Sequence, residues 1–564
     1  MSSTSSVRFS LGLAGLLAGL VLLSYLPAFG AGFVWDDDYY VAANPTLHSL
    51  AGLKRIWLDF FATPQYYPLV HTSFWLEYRL VGSSPTLYHA TNVVLHAANA
   101  ILLWRICLRL RIPGAWFIAA IFALHPVQVE SVAWITERKN VLSGLFYLSS
   151  ALAYLHFSAQ ADGGVRRWGI YAGSFLLYLA ALLSKTVASS LPATLLLIVW
   201  WKRGAWLRRD WLTLLPMLLI GAAFGLLTVW LEREHVLARG PEWDLSFLDR
   251  CLIAGRALWF YASNLVWPQD LAFIYPRWVI DVSVWWQYLF PLSAIAVVLS
   301  LFIARRRIGR GPVTAVLFYA GTLFPALGFF NIYPMRYSFV ANHFQYLACI
   351  GLIALAVGAV FCRVEDAKMQ KIAGRIAAAP VLAVLAALTW WNTLAYLDLE
   401  SLWRDTLSKN PQAWMAHHNL GIVLDDQGRH EEAKKHYQAA VDLEPSHFRA
   451  HHKLGRSLAR EGKLDEAIAH FNIAIGLSPG ERQFHSSLGD AYLRRGDFVQ
   501  AEAAFRQVLT PPFVHAQTLV KLARALIGQH RFDEARGALQ EALQLDPKNP
   551  QATLLLMEIA SPAR

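Results

Sequence analysis

Three consecutive carboxylates, Asp36, Asp37 and Asp38, follow an apolar run from Phe9 to Gly30 and precede Asn44-Pro45. Adjacent like charges repel, and beside an apolar segment they also lose hydration, which makes such a cluster a functional candidate. Two chemistries suit it. A carboxylate could act as general base on an incoming hydroxyl, or Asp36 and Asp37 could hold a divalent cation such as Mg2+ or Mn2+. The structural alternative is a hydrated helix cap.

Further polar groups interrupt later apolar runs. His125-Pro126-Val127-Gln128-Val129-Glu130 breaks one of them, and Glu137-Arg138-Lys139-Asn140 forms the turn that follows. Ser184-Lys185-Thr186 makes another turn, and Tyr333 to Arg336 with Asn342-His343 frames a third loop. Carboxylates in one loop and cations in others suit an anionic lipid phosphate, with a base for the acceptor. Asp36 and Asp37 are thus the candidate catalytic residues. Asp38, His125, Glu130, Arg138, Lys139, Lys185, Arg336 and His343 are the candidate donor-binding residues. For Arg138, Lys139 and Lys185 the alternative is snorkelling at a membrane interface, and His125 also suits a kink beside Pro126.

The elements that must position these groups follow from composition. Of 564 residues, 16% are charged and 56% hydrophobic, where a soluble chain carries about 25% charge. Residues 398–564 hold 41 charged residues, and residues 1–397 only 48, too few to clothe a globular surface. The first part is expected to be a membrane domain and the second a soluble one. The chain's net charge is +11, and its positive excess sits in the membrane part, in short basic runs between apolar segments. That pattern marks cytoplasmic loops and argues against nucleic-acid binding. Four cysteines, Cys107, Cys251, Cys349 and Cys362, show no metal-ligand or disulfide spacing.

Apolar stretches long enough to span lie near 9–30, 86–107, 114–134, 140–158, 167–184, 186–201, 211–231, 285–304, 312–330, 345–362 and 376–396. Segment 251–267 contains Arg256 and Asn264. The positive-inside rule puts the clusters at Arg105–Arg111, Arg166/Arg167, Lys202–Arg209, Arg305–Arg310 and Arg363–Arg375 on one side only if that segment does not cross. Eleven spans are therefore expected, with Phe9–Gly30 a retained anchor and 251–267 re-entrant or interfacial. The acidic triplet, the turns and the tail then all face outward.

The tail repeats with a period of 34 residues. Pro411, Pro445 and Pro479 keep that step, as do Gly421, Gly455 and Gly489, Ala433, Ala467, Ala501 and Ala535, and Tyr437, Phe471 and Phe505. Such a period predicts tetratricopeptide repeats near 411–444, 445–478, 479–512 and 513–546, with a partial repeat around Leu402-Trp403 and a capping helix at 551–560. A repeat array offers a concave surface for an extended chain, and Asn419 and Lys453 are candidate protein-binding residues there. The pairs His417/His418 and His451/His452 recur at the same period and suit a solvated inner face better than a metal site.

Phe33-Val34-Trp35-Asp36-Asp37, Tyr66-Tyr67-Pro68-Leu69, His89…Asn92…His96…Asn99, the stretch from His125 to Trp134, and Leu183-Ser184-Lys185 together resemble a known family. They look like the transmembrane and tetratricopeptide-repeat-containing O-mannosyltransferases and their bacterial relatives, of the GT-C superfamily. The resemblance covers nearly the whole chain. It implies an all-α fold, an eleven-span GT-C-like helical bundle followed by an α-solenoid, with the active site on the lumenal or periplasmic side. The family's first-loop acidic pair matches Asp36 and Asp37, with Asp38 an extra acid. The acidic–basic pair that eukaryotic members carry in the last outer loop is absent, since Asn342-His343 stands there, and Arg336 is the substitute phosphate ligand.

The implied reaction moves a sugar from a polyprenyl-phosphate donor to a protein Ser/Thr hydroxyl, with inversion at the anomeric carbon. The implied location is a bacterial inner membrane, with the repeats in the periplasm or outside. The rival reading is a membrane-anchored repeat scaffold for envelope complexes, without catalysis. A transporter fits less well, because its ionisable groups should line the bilayer midplane.

Overall fold

Apolar runs become helices, and prolines set many of their boundaries. The computed structural model describes residues 3–159, 168–362, 367–510 and 512–560. Among these, every regular element is helical. Helix α1 (Ser3–Ser24) leads into an irregular stretch carrying the acidic triplet. Ser49 caps α2 (Leu50–Leu58), its hydroxyl accepting from Gly52 N–H at 3.0 Å. Proline opens both α3 (Pro68–Val81) and α4 (Pro85–Arg109), where its missing N–H leaves nothing unsatisfied. Helix α5 (Ala115–Leu124) stops at His125, because Pro126 drives the residue before it into extended backbone. The chain resumes through α6 (Val129–Ala133) after a 55° bend.

Helices α7 (Arg138–Ala159), α8 (Trp168–Leu182), α9 (Leu191–Arg203), α10 (Arg208–Glu234), α11 (Phe247–Val266), α12 (Leu289–Ile308), α13 (Gly311–Leu323), α14 (Cys349–Cys362) and α15 (Ala367–Thr393) continue the bundle. Five described helices are individually long and apolar enough to cross a bilayer, or six if the bent pair counts as one span. The helices Trp168–Leu182, Gly311–Ala326 and Cys349–Cys362 are apolar but shorter than the roughly 20 residues a crossing needs. Helix α11 is not among the five.

The first expected span is shifted, since α1 ends at Ser24 and Pro27 starts a tight 3-10 turn over Leu26–Gly30. Likewise 186–201 begins as a helix only at Leu191, after a 3-10 turn over Thr186–Ser190. Arg166 and Arg167 lie outside the described residues, as does Arg363. Helix α12 buries none of its side chains, and Leu292, Ile295, Leu299 and Ile303 all point outward. Such a face is tolerable only against hydrocarbon, and this chain is a membrane protein.

Buried polar groups lock the bundle. His96 Nδ1 lies 2.9 Å from the Tyr346 hydroxyl and its Nε2 lies 3.0 Å from Ala123 O. Asn99 Nδ2 donates to Val141 O and to the Tyr346 hydroxyl, each at 2.8 Å. A Cβ on Gly144 would sit 2.9 Å from Asn99 Nδ2, so only glycine lets α4 and α7 close on this layer.

The chain divides into two compact units, Met1–Pro411 and Gln412–Arg564. Charge alone assigns α16 (Leu399–Lys409) to the soluble tail, but this helix belongs with the first unit. Trp403 packs edge-on against Trp35 and Phe273, at 5.0 and 5.7 Å between ring centroids. Lys409 Nζ donates to Leu271 O at 2.9 Å and Asn410 Nδ2 to Ile274 O at 3.2 Å. Apolar docking outweighs the charged outer face of α16.

The second unit stacks helix pairs: α17 (Trp414–Asp426) with α18 (His430–Leu443), and α19 (Phe448–Arg460) with α20 (Leu464–Leu477). Next come α21 (Arg482–Arg495) with α22 (Phe498–Val508), and α23 (Ala516–Gly528) with α24 (Phe532–Leu545), before α25 (Pro550–Ala560). The repeat glycines face the repeat aromatics: a Cβ on Gly421, Gly455 or Gly489 would lie 2.6, 2.7 or 2.5 Å from Tyr437, Phe471 or Phe505. The recurring histidines do not form a solvated face. His418, His451 and His452 are buried, His451 and His470 meet Nδ1 to Nδ1 at 2.9 Å, and so do His417 and His436.

Candidate functional site

The three adjacent aspartates have three different environments. Trp35, just before them, holds a left-handed φ of 51°, a strained conformation for a bulky residue. It turns the chain so that Asp37 points inward, fully buried. Asp37 Oδ2 accepts from Val34 N–H at 2.9 Å, and Oδ1 accepts from Thr136 N–H and hydroxyl at 2.8 and 2.7 Å. Its carboxylate ties the acidic loop to the turn before α7. Asp38 is exposed. Asp36 is half-buried, and its Oδ1 is shielded from water with no hydrogen-bond partner.

Burial raises the Asp36 carboxyl to about 6, with Lys139 opposing and Glu137 reinforcing the shift. Burial also raises Asp37, and the neighbouring Asp36 charge pushes it further. A carboxyl with one unpartnered oxygen that titrates near neutrality is what a general base requires. Asp37 spends both oxygens on protein donors. Among the described residues no group of three or more His, Cys, Asp or Glu could hold a metal ion, and of the acidic pair only Asp36 keeps an oxygen without a protein donor.

Glu137 is the hub beside Asp36. Lys139 Nζ reaches it at 2.9 Å and Lys185 Nζ at 3.2 Å. Asn140 Nδ2 donates to its Oε2 at 2.6 Å, and Lys185 Nζ donates to Asn140 Oδ1 at 2.8 Å. His343 stands 3.9 Å away, with its Nδ1 2.6 Å from Glu130 Oε1. Burial lowers the Lys185 ammonium to about 8, with Glu137 holding it back and Lys139 adding to the fall. One carboxylate thus gathers two cations at a nearly dry spot next to an acid with one unpartnered oxygen. Lys139, Lys185, Glu130 and His343 are brought together here as the sequence suggests.

Other candidates lie elsewhere. Arg138 is fully buried and pairs with Glu77 at 3.0 Å, donates to Asn92 Oδ1 and to Tyr88 O, and covers the Phe74 ring at 5.0 Å. Every arm of the guanidinium is used, so Arg138 is a structural bolt and cannot meet a phosphate without losing Glu77. His125 has no free nitrogen: Val127 N–H donates to Nδ1 at 3.4 Å, and Nε2 contacts Leu265 O at 3.1 Å. It caps the turn after the break. Arg336 pairs with Glu242 at 3.3 Å and remains partly open to solvent. Asn419 and Lys453 occupy the same repeat position on α17 and α19, both half-buried, and Asn419 Nδ2 has no partner.

The sequence reading passes over Gln65, Thr136 and Glu232, and names Glu137 and Asn140 only as part of a turn. Gln65 Oε1 accepts from Lys139 Nζ at 3.3 Å and from the Tyr40 hydroxyl at 3.0 Å, while its Nε2 donates to Glu232 Oε1 at 3.0 Å. Glu232 Oε2 accepts from Tyr333 N–H at 3.2 Å, which links the loop before Arg336 to the lysine. An acid closing the apolar run of α10 was the one signal available for Glu232. The stripe His89, Asn92, His96 and Asn99 is an i, i+3, i+4 face of α4 that satisfies turn carbonyls, including Gly32 O at 3.2 Å from His89.

Comparison with known proteins adds three findings. Family models described as tetratricopeptide repeat match residues 400–447, 418–482, 452–512 and 516–549. A protein O-mannosyl-transferase of Caenorhabditis elegans is 25% identical over 76% of this chain and 62% of its own length. Another, Tmtc1 of Drosophila melanogaster, is 36% identical over 33% of this chain and 22% of its own. The chain therefore spans about three-fifths of the first relative and about a fifth of the second. A crystal structure of a MamA protein is similar at 22% identity over 26% of this chain and 81% of that one, with a TM-score of 0.25.

Proposed function

We propose that this chain, a relative of proteins named protein O-mannosyl-transferases, is an integral-membrane glycosyltransferase. It moves a sugar from a polyprenyl-phosphate carrier to a Ser/Thr hydroxyl of a protein on the non-cytosolic face. In a bacterial cell that face is the periplasm. The observation that carries the reading is the unpartnered oxygen of Asp36 beside the Lys139–Glu137–Lys185 cluster.

Asp36 takes the proton of the acceptor hydroxyl as its oxygen bonds to the anomeric carbon. The bond from that carbon to the phosphate oxygen breaks on the opposite side, giving inversion. Negative charge gathers on the leaving phosphate, and Lys139 and Lys185 lie where it can be met. Asp37 holds the loop that aims Asp36, while His343 and Glu130 brace the far side of Glu137. No step is routed through a metal ion. The repeats bind the acceptor chain, with Asn419 and Lys453 as backbone or carboxylate contacts.

The test is transfer of labelled mannose from undecaprenyl-phosphate mannose to peptide acceptors by the purified full chain. Asp36→Asn is expected to lower the rate by at least about 100-fold, the usual contribution of a positioned base. An Asp36→Asn protein that transfers at the unaltered rate overturns the assignment.

A further inference from the structure

A cavity of about 610 Å³ lies among α4, α7, α9, α13 and α14. Its walls are apolar, with Leu103, Leu148, Ile198 and Ala354 among them. The volume falls in the roughly 300–1,000 Å³ range of ligand pockets. None of its lining residues belongs to the acidic loop or to the His96–Asn99–Tyr346 layer. From Asn92 to Leu110 helix α4 rises roughly 27 Å. The mouth of the cavity is thus nearly a bilayer core, about 30 Å, away from the candidate site.

Cations ring that mouth. Arg111 and Arg310 both line it, and among the described residues neither has an acidic partner. Arg111 is exposed and holds a left-handed φ of 51° at the end of α4, a place where glycine would carry no strain. Arg310 is half-buried, lying so close over Gly204 that a Cβ there would sit 2.3 Å from its Nη1. Lys202 Nζ donates to Leu110 O beside them. One polar group inside is unsatisfied: the hydroxyl of buried Thr314 lines the cavity without a hydrogen-bond partner. By contrast the Tyr147 hydroxyl donates to Thr194 at 2.9 Å. An apolar slot ending in unpaired cations between spanning helices matches a lipid tail with an anionic head.

We propose that this cavity binds one chain of an anionic glycerophospholipid from the leaflet opposite the candidate site, with its phosphate between Arg111 and Arg310. The distance from Asp36 separates this lipid from a sugar donor in reacting position. The site is independent of the transfer reaction, and its test reads lipid binding without any catalysis.

The experiment is native mass spectrometry of the full chain in detergent, titrated with phosphatidylglycerol or phosphatidylcholine. The unaltered chain is expected to hold one phosphatidylglycerol about tenfold more tightly than phosphatidylcholine. Arg111→Gln with Arg310→Gln should remove that preference while leaving phosphatidylcholine binding and the melting temperature unchanged. Ala354→Trp, which fills the slot, should block both lipids. Equal binding by the unaltered and doubly substituted chains overturns the proposal. Displacement of phosphatidylglycerol by equimolar undecaprenyl phosphate also overturns it, because the cavity would then hold the carrier.

Discussion

Neighbouring side chains of one type take separate roles here because each meets different partners. Asp37 is saturated by Val34 and Thr136, Asp38 faces water, and Asp36 alone keeps a shielded carboxylate oxygen without a hydrogen-bond partner. If Asp36 is the base, transfer must rise as pH passes about 6, where its carboxyl ionises. If Lys185 meets the phosphate as a cation, transfer must fall as pH passes about 8, where the ammonium is lost. A bell between these limits is the expected rate profile, and Lys185→Arg should push the falling limb to higher pH because guanidinium keeps its charge. A flat profile from pH 5 to about 9 would contradict both assignments.

Arg138 predicts a stability effect instead. Arg138→Gln leaves Glu77 buried without its counter-charge, which costs about 3–5 kcal/mol. A melting temperature within a degree of the unaltered chain would contradict its structural role. The sequence made Asp36 visible through its two neighbours, but nothing in spacing could tell which acid stays free. That depends on Thr136, a hundred residues along the chain, reaching Asp37. Arg138 and Lys139 looked alike in sequence, and the helical step between them sends one to Glu77 and the other to Glu137.

Element boundaries were legible wherever local chemistry decides them. Pro126 breaks α5 from α6, and the 34-residue period places every helix pair of the second unit. Within those pairs the sequence is unforgiving at one position. Gly489→Val would drive side-chain carbon into Phe505 and is expected to cost about 1–3 kcal/mol, seen as faster hydrogen exchange in α21 and α22. Gly537 has nothing within 4 Å of a built Cβ, so Gly537→Ala should leave exchange unchanged or slow it. Helix α16 was misplaced by charge density, a property of its outer face, when Trp403 and its aromatic contacts decide where it docks. The histidine pairs differ from a solvated face for a related reason: His417 and His451 meet His436 and His470 of the second helices, and His452 meets the Ser487 hydroxyl.

Across the whole molecule, composition separates an apolar part from a soluble repeat part, and the chain divides near that boundary. The proposed compartment rests on the basic clusters of the membrane part, from which the positive-inside rule predicts that the acidic loop and the tail lie on the non-cytosolic side. In a background lacking the four native cysteines, Ala560→Cys should react with an impermeant thiol reagent on intact spheroplasts. Reaction only after lysis would reverse the sidedness.

The most direct measurement is comparative glycoproteomics of cells that make the unaltered chain, no chain, or Asp36→Asn at matched membrane levels. Hexose-bearing Ser/Thr peptides from exported proteins should appear with the unaltered chain and vanish in the other two. The same modified peptides in all three strains would contradict a transferase built around Asp36.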